Sequence, residues 1–164
     1  RVDRFLAGVA YLDGRLAPPS LIMTRGYYVK TALAAFDFRR GDGGGGGHPP
    51  TLTRRWLFDS DQQANRTVWV GQGNHQLNVA DVDGDGRDEV VFGAMVVDHD
   101  GRGLYSTLWG HGDALHTTDV DPARPGLETC QVHEKEISPY TLTCRDAATG
   151  RLLWGLPYVG LKWR

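Results

Sequence analysis

The stretch Asp81-Val82-Asp83-Gly84-Asp85-Gly86-Arg87-Asp88-Glu89 sets carboxylates at relative positions 1, 3, 5 and 9, with glycines at 4 and 6. Glycine lets the backbone turn sharply without a Cβ penalty, so alternate carboxylates converge on one point. Oxygen ligands at that density suit Ca2+, which takes about 6–8 oxygens in flexible geometry. The opening matches an EF-hand loop, but position 12 is Phe92, where an EF-hand needs a bidentate Glu. The expected ligands are therefore the side chains of Asp81, Asp83, Asp85 and Glu89 and the carbonyl of Arg87. The alternative is an Asp/Gly-rich surface turn that binds nothing.

A second set is built on histidine. His75, His111, His116 and His133 recur before or after apolar segments, with Asp113 and Glu134 close by in sequence. Recurrence of this kind would bring them to one region. His75, His111 and Asp113, joined by Glu134, are expected to hold a metal. Ca2+ prefers oxygen, so the mixed set also suits a transition metal. The competing reading has these histidines bonding backbone only. Asp119, Asp121 and Glu128, with the carbonyls of Arg124 or Gly126, form a further expected oxygen cage; its alternative is a capped turn. His48 and His99 lie in turns and read as solvated.

The elements that carry these residues repeat. Val9-Ala10-Tyr11-Leu12-Asp13-Gly14 aligns with Val79 to Gly84 and with Thr117 to Pro122. Each is followed by a turn and an apolar strand: Leu21 to Met23, Val90 to Phe92, Leu127 to Val132. Strands ending in Asp then recur at Asp37, Asp98 and Asp146, and aromatic strands follow at Arg54 to Phe58 and Arg151 to Gly155. Units of about 40–50 residues with four short strands predict an all-β fold, as blades of a β-propeller. The sequence holds about three blades, so the domain 1–164 is expected to be part of a larger ring. Residues 39–50, with five consecutive glycines from Gly43 to Gly47, read as a flexible Gly/Pro-rich insertion.

Composition narrows the function classes. The net charge is −2 with both signs interspersed, so there is no basic stripe for nucleic acid. No apolar run of about 18 residues reads as a membrane helix. The chain opens on Arg1 without methionine, which suggests a fragment or processed form. Cys130 and Cys144, the two cysteines, lie in alternating segments; they form a disulfide if those segments pair antiparallel, and are otherwise unpaired strand thiols.

Several segments come in a specific order: Arg1 to Ala7, Thr24-Arg25-Gly26-Tyr27-Tyr28, Gly71-Gln72-Gly73-Asn74-His75, the Asp81 loop, Gly103-Leu104-Tyr105-Ser106-Thr107, Gly110-His111-Gly112-Asp113-Ala114-Leu115-His116 and Gln131-Val132-His133-Glu134. Together they resemble the rhamnogalacturonan lyases of polysaccharide lyase family 11, over nearly the whole chain. The resemblance implies an eight-bladed propeller with several Ca2+ ions, secreted by bacteria and monomeric. It implies β-elimination at rhamnosyl-(1→4)-galacturonate bonds of the rhamnogalacturonan I backbone of pectin. Family members are much longer, so the segment alone is expected to be inactive. The ending Leu156 to Arg164 departs from the family pattern, which leaves no role for Lys162 or Arg164.

Eliminating across C4–C5 of a uronate requires a neutralised carboxylate, a base for the C5 proton and an acid for the leaving oxygen. His75, His111 and Tyr105 are the candidates for catalysis. Asn74, Arg25 and Tyr105 are the candidates for substrate contact, with Lys30 and Tyr27 nearby in sequence. The alternative function is a calcium-stabilised, integrin-like binding module. A quinone-cofactor propeller is suggested only by Asp146-Ala147-Ala148-Thr149-Gly150 with Trp154.

Overall fold

A computed structural model describes residues 4–41, 47–134 and 137–158. Twelve strands form three four-stranded antiparallel sheets among these residues. The first sheet holds β1 (Phe5–Ala10), β2 (Ser20–Arg25), β3 (Ala32–Arg39) and β4 (Thr51–Asp59). The second holds β5 (Asn78–Ala80), β6 (Glu89–Phe92), β7 (Met95–Val97) and β8 (Gly103–Ser106). The third holds β9 (Gly112–Thr118), β10 (Glu128–His133), β11 (Tyr140–Asp146) and β12 (Leu152–Pro157). Each is a meander in which chain neighbours pair. Between β4 and β5 lie a 3-10 turn, Ser60–Gln62, and the single-turn helix α1 (Arg66–Trp69), so regular structure is not wholly β.

Burial pattern follows position in the stack. β2 alternates buried and less buried residues, as a strand with one covered face does. β6 and β7 are buried at every position, because the second sheet is covered on both faces. Successive side chains point to opposite sides. Val90 and Phe92 pack with Ile22, Leu33 and Phe58 of the first sheet and with Leu12 of the turn that follows β1. Val91 packs with Val96, Leu115 and Ala147, toward the third. Fully buried Arg145 of β11 extends this contact, donating from Nη2 to the Gly93 carbonyl at 2.6 Å.

The three sheets stack in a sandwich-like arrangement and none closes. The expectation of about three blades of an eight-bladed propeller is corrected accordingly, while the all-β class stands. The repeat encodes local hairpin pairing, and pairing within a sheet does not dictate how sheets are arranged around one another.

Two local expectations are also refined. Arg39 ends β3 and pairs with Thr51 at the start of β4, so the insertion is a hairpin connection inside 40–50. Its residues 42–46 lie outside the described residues. Leu156 and Pro157 continue β12 opposite Leu142 and Tyr140; residues 159–164, with Lys162 and Arg164, lie outside the described residues, as do residues 1–3. Cys130 faces Cys144 across β10 and β11, and the two are disulfide-bonded. A cross-link over a sequence separation of 14 stabilises by about 3 kcal/mol in the chain-entropy account.

Candidate metal centre

Two segments from different sheets meet to form the histidine centre. One, Gly71 to Leu77, leads from α1 into β5. The other, Gly110 to Asp113, leads into β9. A parallel bridge joins Asn74 to Gly112, and the His75 N–H donates to the Gly112 carbonyl at 3.2 Å. His75, His111 and Asp113 each present a ligand atom, all within 4.8 Å of one another. His75 Nδ1 is 3.4 Å from Asp113 Oδ1, and His111 Nε2 is 3.2 Å from Glu134 Oε2.

The protonation of His111 makes this arrangement informative. Its Nδ1 lies 2.7 Å from the Gly73 carbonyl. A carbonyl only accepts, so Nδ1 carries a proton. Burial lowers the His111 pKa, which favours the neutral ring. Nε2 then presents a lone pair, buried and without a hydrogen-bond partner, toward the Glu134 carboxylate. Two electron-rich groups held face to face are stabilised by a cation between them. The convergent donors, two imidazoles and the Asp113 carboxylate, with Glu134 beside His111, fit a divalent ion. Tyr27 stacks on His111 at 5.0 Å between centroids, and the Tyr28 hydroxyl is 3.3 Å from His75 Nε2.

The Asp turns occupy equivalent places in the three sheets. Strand register pairs Ala10 with Ser20, Ala80 with Glu89 and Thr118 with Glu128. On the next strand, Asp37 lies opposite Ser20 and Asp146 opposite Glu128, and Asp98 follows the Val97 that pairs with Val90. In the second sheet, Gly84 and Gly86 adopt φ of 80° and 89°, the left-handed conformation that permits the turn. Asp81 accepts N–H bonds from both. Asp81, Asp83 and Asp85 form one metal-competent group; Asp83, Glu89 and Asp98 form another; Asp85, Glu89 and His99 a third. Glu89 is fully buried, with Oε1 lacking a partner. Burial, reinforced by Asp83, Asp85 and Asp98, pushes its pKa up to about 8.

Glu128 has the same place and the opposite environment. It accepts the backbone N–H groups of Val120 and Asp121, and Arg124 Nε lies 3.3 Å from it. Those backbone bonds, aided by Arg124, hold its carboxyl below the usual range. Arg124 also reaches Asp146 at 3.2 Å. In the first sheet Arg55 bonds Asp13 and lies 3.7 Å from Asp37. A guanidinium thus bonds the carboxylates directly in the first and third sheets, whereas in the second Arg87 lies against His99. Among the described residues, Asp119, Asp121 and Glu128 do not converge as a metal-ligand group.

Other expected residues fall elsewhere. The Tyr105 hydroxyl donates to the Ala147 carbonyl at 2.8 Å, inside the sheet packing. Asn74 is buried, its Oδ1 accepting the Gln76 N–H, so it shapes the centre from within. Lys30 pairs with Asp59 at 2.7 Å, and Arg25 ends β2. His133 is buried against Thr143, and His116 is exposed on β9; neither joins the His75 group. The Arg87 guanidinium is 2.7 Å from His99 Nε2. His99, expected in solvent, is mostly buried against Asp85 and Asp98, because the β7–β8 hairpin folds it over the Asp81 turn. Sequence reasoning missed Tyr28, Asp98 and His99 as site residues. Asp98 had a signal, as the strand-ending Asp of its repeat.

A stacked all-β chain with a histidine–carboxylate centre is the class of protein defined so far. Residues 1–160 match the family model described as "Rhamnogalacturonan lyase family 11, C-terminal domain", and the chain belongs to that family. It is 59% identical over 160 residues to rhamnogalacturonan endolyase YesW of Bacillus subtilis (strain 168), covering 98% of this chain and 24% of the relative. It is 58% identical to rhamnogalacturonan exolyase YesX of the same organism, over 95% of this chain and 24% of that one. Among solved structures, the Bacillus licheniformis rhamnogalacturonan lyase PL11 matches with a TM-score of 0.83 and 59% identity, over 94% of this chain and 24% of that chain. The chain therefore spans about a quarter of the length of these relatives.

Proposed function

We propose that this chain is part of a longer lyase that cleaves rhamnogalacturonan, the polysaccharide of pectin, by β-elimination. His75, His111, Asp113 and Glu134 would hold a divalent cation at its substrate-facing centre. The Asp81 turn, with Glu89 and Asp98, would hold a structural Ca2+. The one observation that carries the reading is the geometry of His111, whose Nδ1 lies 2.7 Å from the Gly73 carbonyl while its buried, unpartnered Nε2 lies 3.2 Å from the Glu134 carboxylate. Family membership and identity near 59% to named rhamnogalacturonan lyases support the substrate class.

When bound, the cation would neutralise the uronate carboxylate and make the C5 proton more acidic. The chain's own groups hold it there. Gly73 fixes the His111 tautomer, and Tyr27 fixes its ring. His75, half-buried, is fixed by the Tyr28 hydroxyl. Groups that take the C5 proton and protonate the leaving oxygen come from the rest of the parent, so the segment alone is inactive. A secreted bacterial enzyme fits a polymeric substrate that cannot enter a cell, and the disulfide fits an oxidising compartment.

The test is ultraviolet absorbance of the unsaturated uronate formed by the parent. Product should appear from rhamnogalacturonan I, not from polygalacturonate, and a chelator should abolish it until Ca2+ is restored. A parent inactive on rhamnogalacturonan I with Ca2+ present would refute the proposal.

A further inference from the structure

His75 and His111 belong to segments of different sheets, so something must set their separation. The backbone supplies little: the Asn74–Gly112 bridge is isolated and no strand continues it. The His111 ring adds one tie, Nδ1 to the Gly73 carbonyl at 2.7 Å, and two glutamine side chains supply the rest. Gln72 lies three residues before His75, and its Oε1 accepts the Gly110 N–H at 3.0 Å in a buried bond. Gln76 directly follows His75, and its Oε1 accepts the Leu115 N–H at 2.6 Å. Gly110 immediately precedes His111, and Leu115 follows Asp113 by two. The amide bonds thus bracket the ligand-bearing residues on both segments, one at each end.

Gln72 is itself held. Its Nε2 donates to the Val70 carbonyl at 3.3 Å, and its own carbonyl accepts the Ala94 N–H at 2.8 Å. Close approach at the middle of the bracket requires glycine: a Cβ on Gly112 would collide with the Val132 carbonyl and lie 3.1 Å from Asn74 Nδ2.

We propose that Gln72 and Gln76 are positioning residues, a pair of side-chain clamps that fix the two histidine segments at the spacing a divalent cation needs. Neither touches the ion. The inference rests on the reading of His75, His111 and Asp113 as a cation centre. Outer partners of this kind typically change metal affinity by about 10–100-fold.

Gln76 is the better probe because it is exposed, so its substitution leaves the core intact. The 164-residue chain is titrated with Co2+ alone, and the visible absorbance of a histidine-bound ion is read. Unsubstituted chain should take up Co2+ in a signal that His75→Ala removes. Gln76→Met should bind about 10-fold more weakly with a shifted spectrum, and its melting temperature should stay near that of the unsubstituted chain. Gln76→Glu keeps the acceptor oxygen and should restore the affinity. Gln72→Met should weaken binding in the same direction. Co2+ binding unchanged in Gln76→Met would overturn the clamp while leaving the metal centre standing. No Co2+ signal in the unsubstituted chain would overturn the centre and the clamp together.

Discussion

Glu89 and Glu128 hold the same register position in neighbouring sheets and titrate in opposite directions. Glu128 receives two backbone N–H groups and a guanidinium; Glu89 receives one N–H, from Val82, and faces three aspartates. The consequence is a pH dependence with a definite sign. Glu89 keeps its proton in the fold up to about 8, whereas a glutamate in an unfolded chain loses it near about 4.3. Between those values the folded state binds more protons, so the metal-free chain loses stability as pH rises through the window. Ca2+ at the proposed site would need the ionised carboxylate, so its stabilising effect should grow over the same range. Melting temperatures with chelator and with Ca2+ at several pH values check this. Glu89→Gln should flatten the metal-free slope; an unaltered slope would mean that another group carries it. At this scale the sequence was informative where spacing forces convergence, as in Asp81 to Glu89. It marked Asp98 only as a strand-ending Asp and read His99 as solvated, because the approach of both depends on a hairpin from a later part of the chain. Tyr28 was equally hidden: only the tertiary meeting of two sheets sets its hydroxyl beside His75.

The hairpin with its Asp turn is the element repeated in this chain, and its counter-cation varies. Arg55 serves the first sheet and Arg124 the third. Sequence reasoning grouped Asp119, Asp121 and Glu128 as a cage because the carboxylate spacing resembles that of the Asp81 turn. Arg124 sits four residues before Glu128, and nothing in the spacing says that its side chain folds inward. Removing it leaves Glu128, which is nearly fully buried, facing Asp146 without a positive charge. Arg124→Met should therefore cost about 1–3 kcal/mol, read as a lower urea midpoint at unchanged slope. Ca2+ should not rescue the unsubstituted third turn, which already has its cation. Equal stability of the variant would show that the backbone N–H groups suffice. Strand positions at this scale were largely legible from alternation and Asp turns. The fully buried β6 and β7 were legible as apolar runs, since both their faces are covered.

Across the whole molecule, the three sheets act as a stack that brings loop segments together. The repeat made three four-stranded units visible in the sequence, because hairpin pairing is local. Propeller closure did not follow, because the arrangement of sheets is decided by faces packing over long sequence separations. The histidine centre is a product of that packing: His75 comes from the approach to the second sheet and His111 from the approach to the third. The most direct measurement is the initial rate of unsaturated product from rhamnogalacturonan I, for the parent protein with and without His111→Ala, in saturating Ca2+. The account predicts a loss of about 10²-fold or more, with the circular dichroism spectrum of the folded parent retained. An undiminished rate in His111→Ala would contradict it and make the histidines structural.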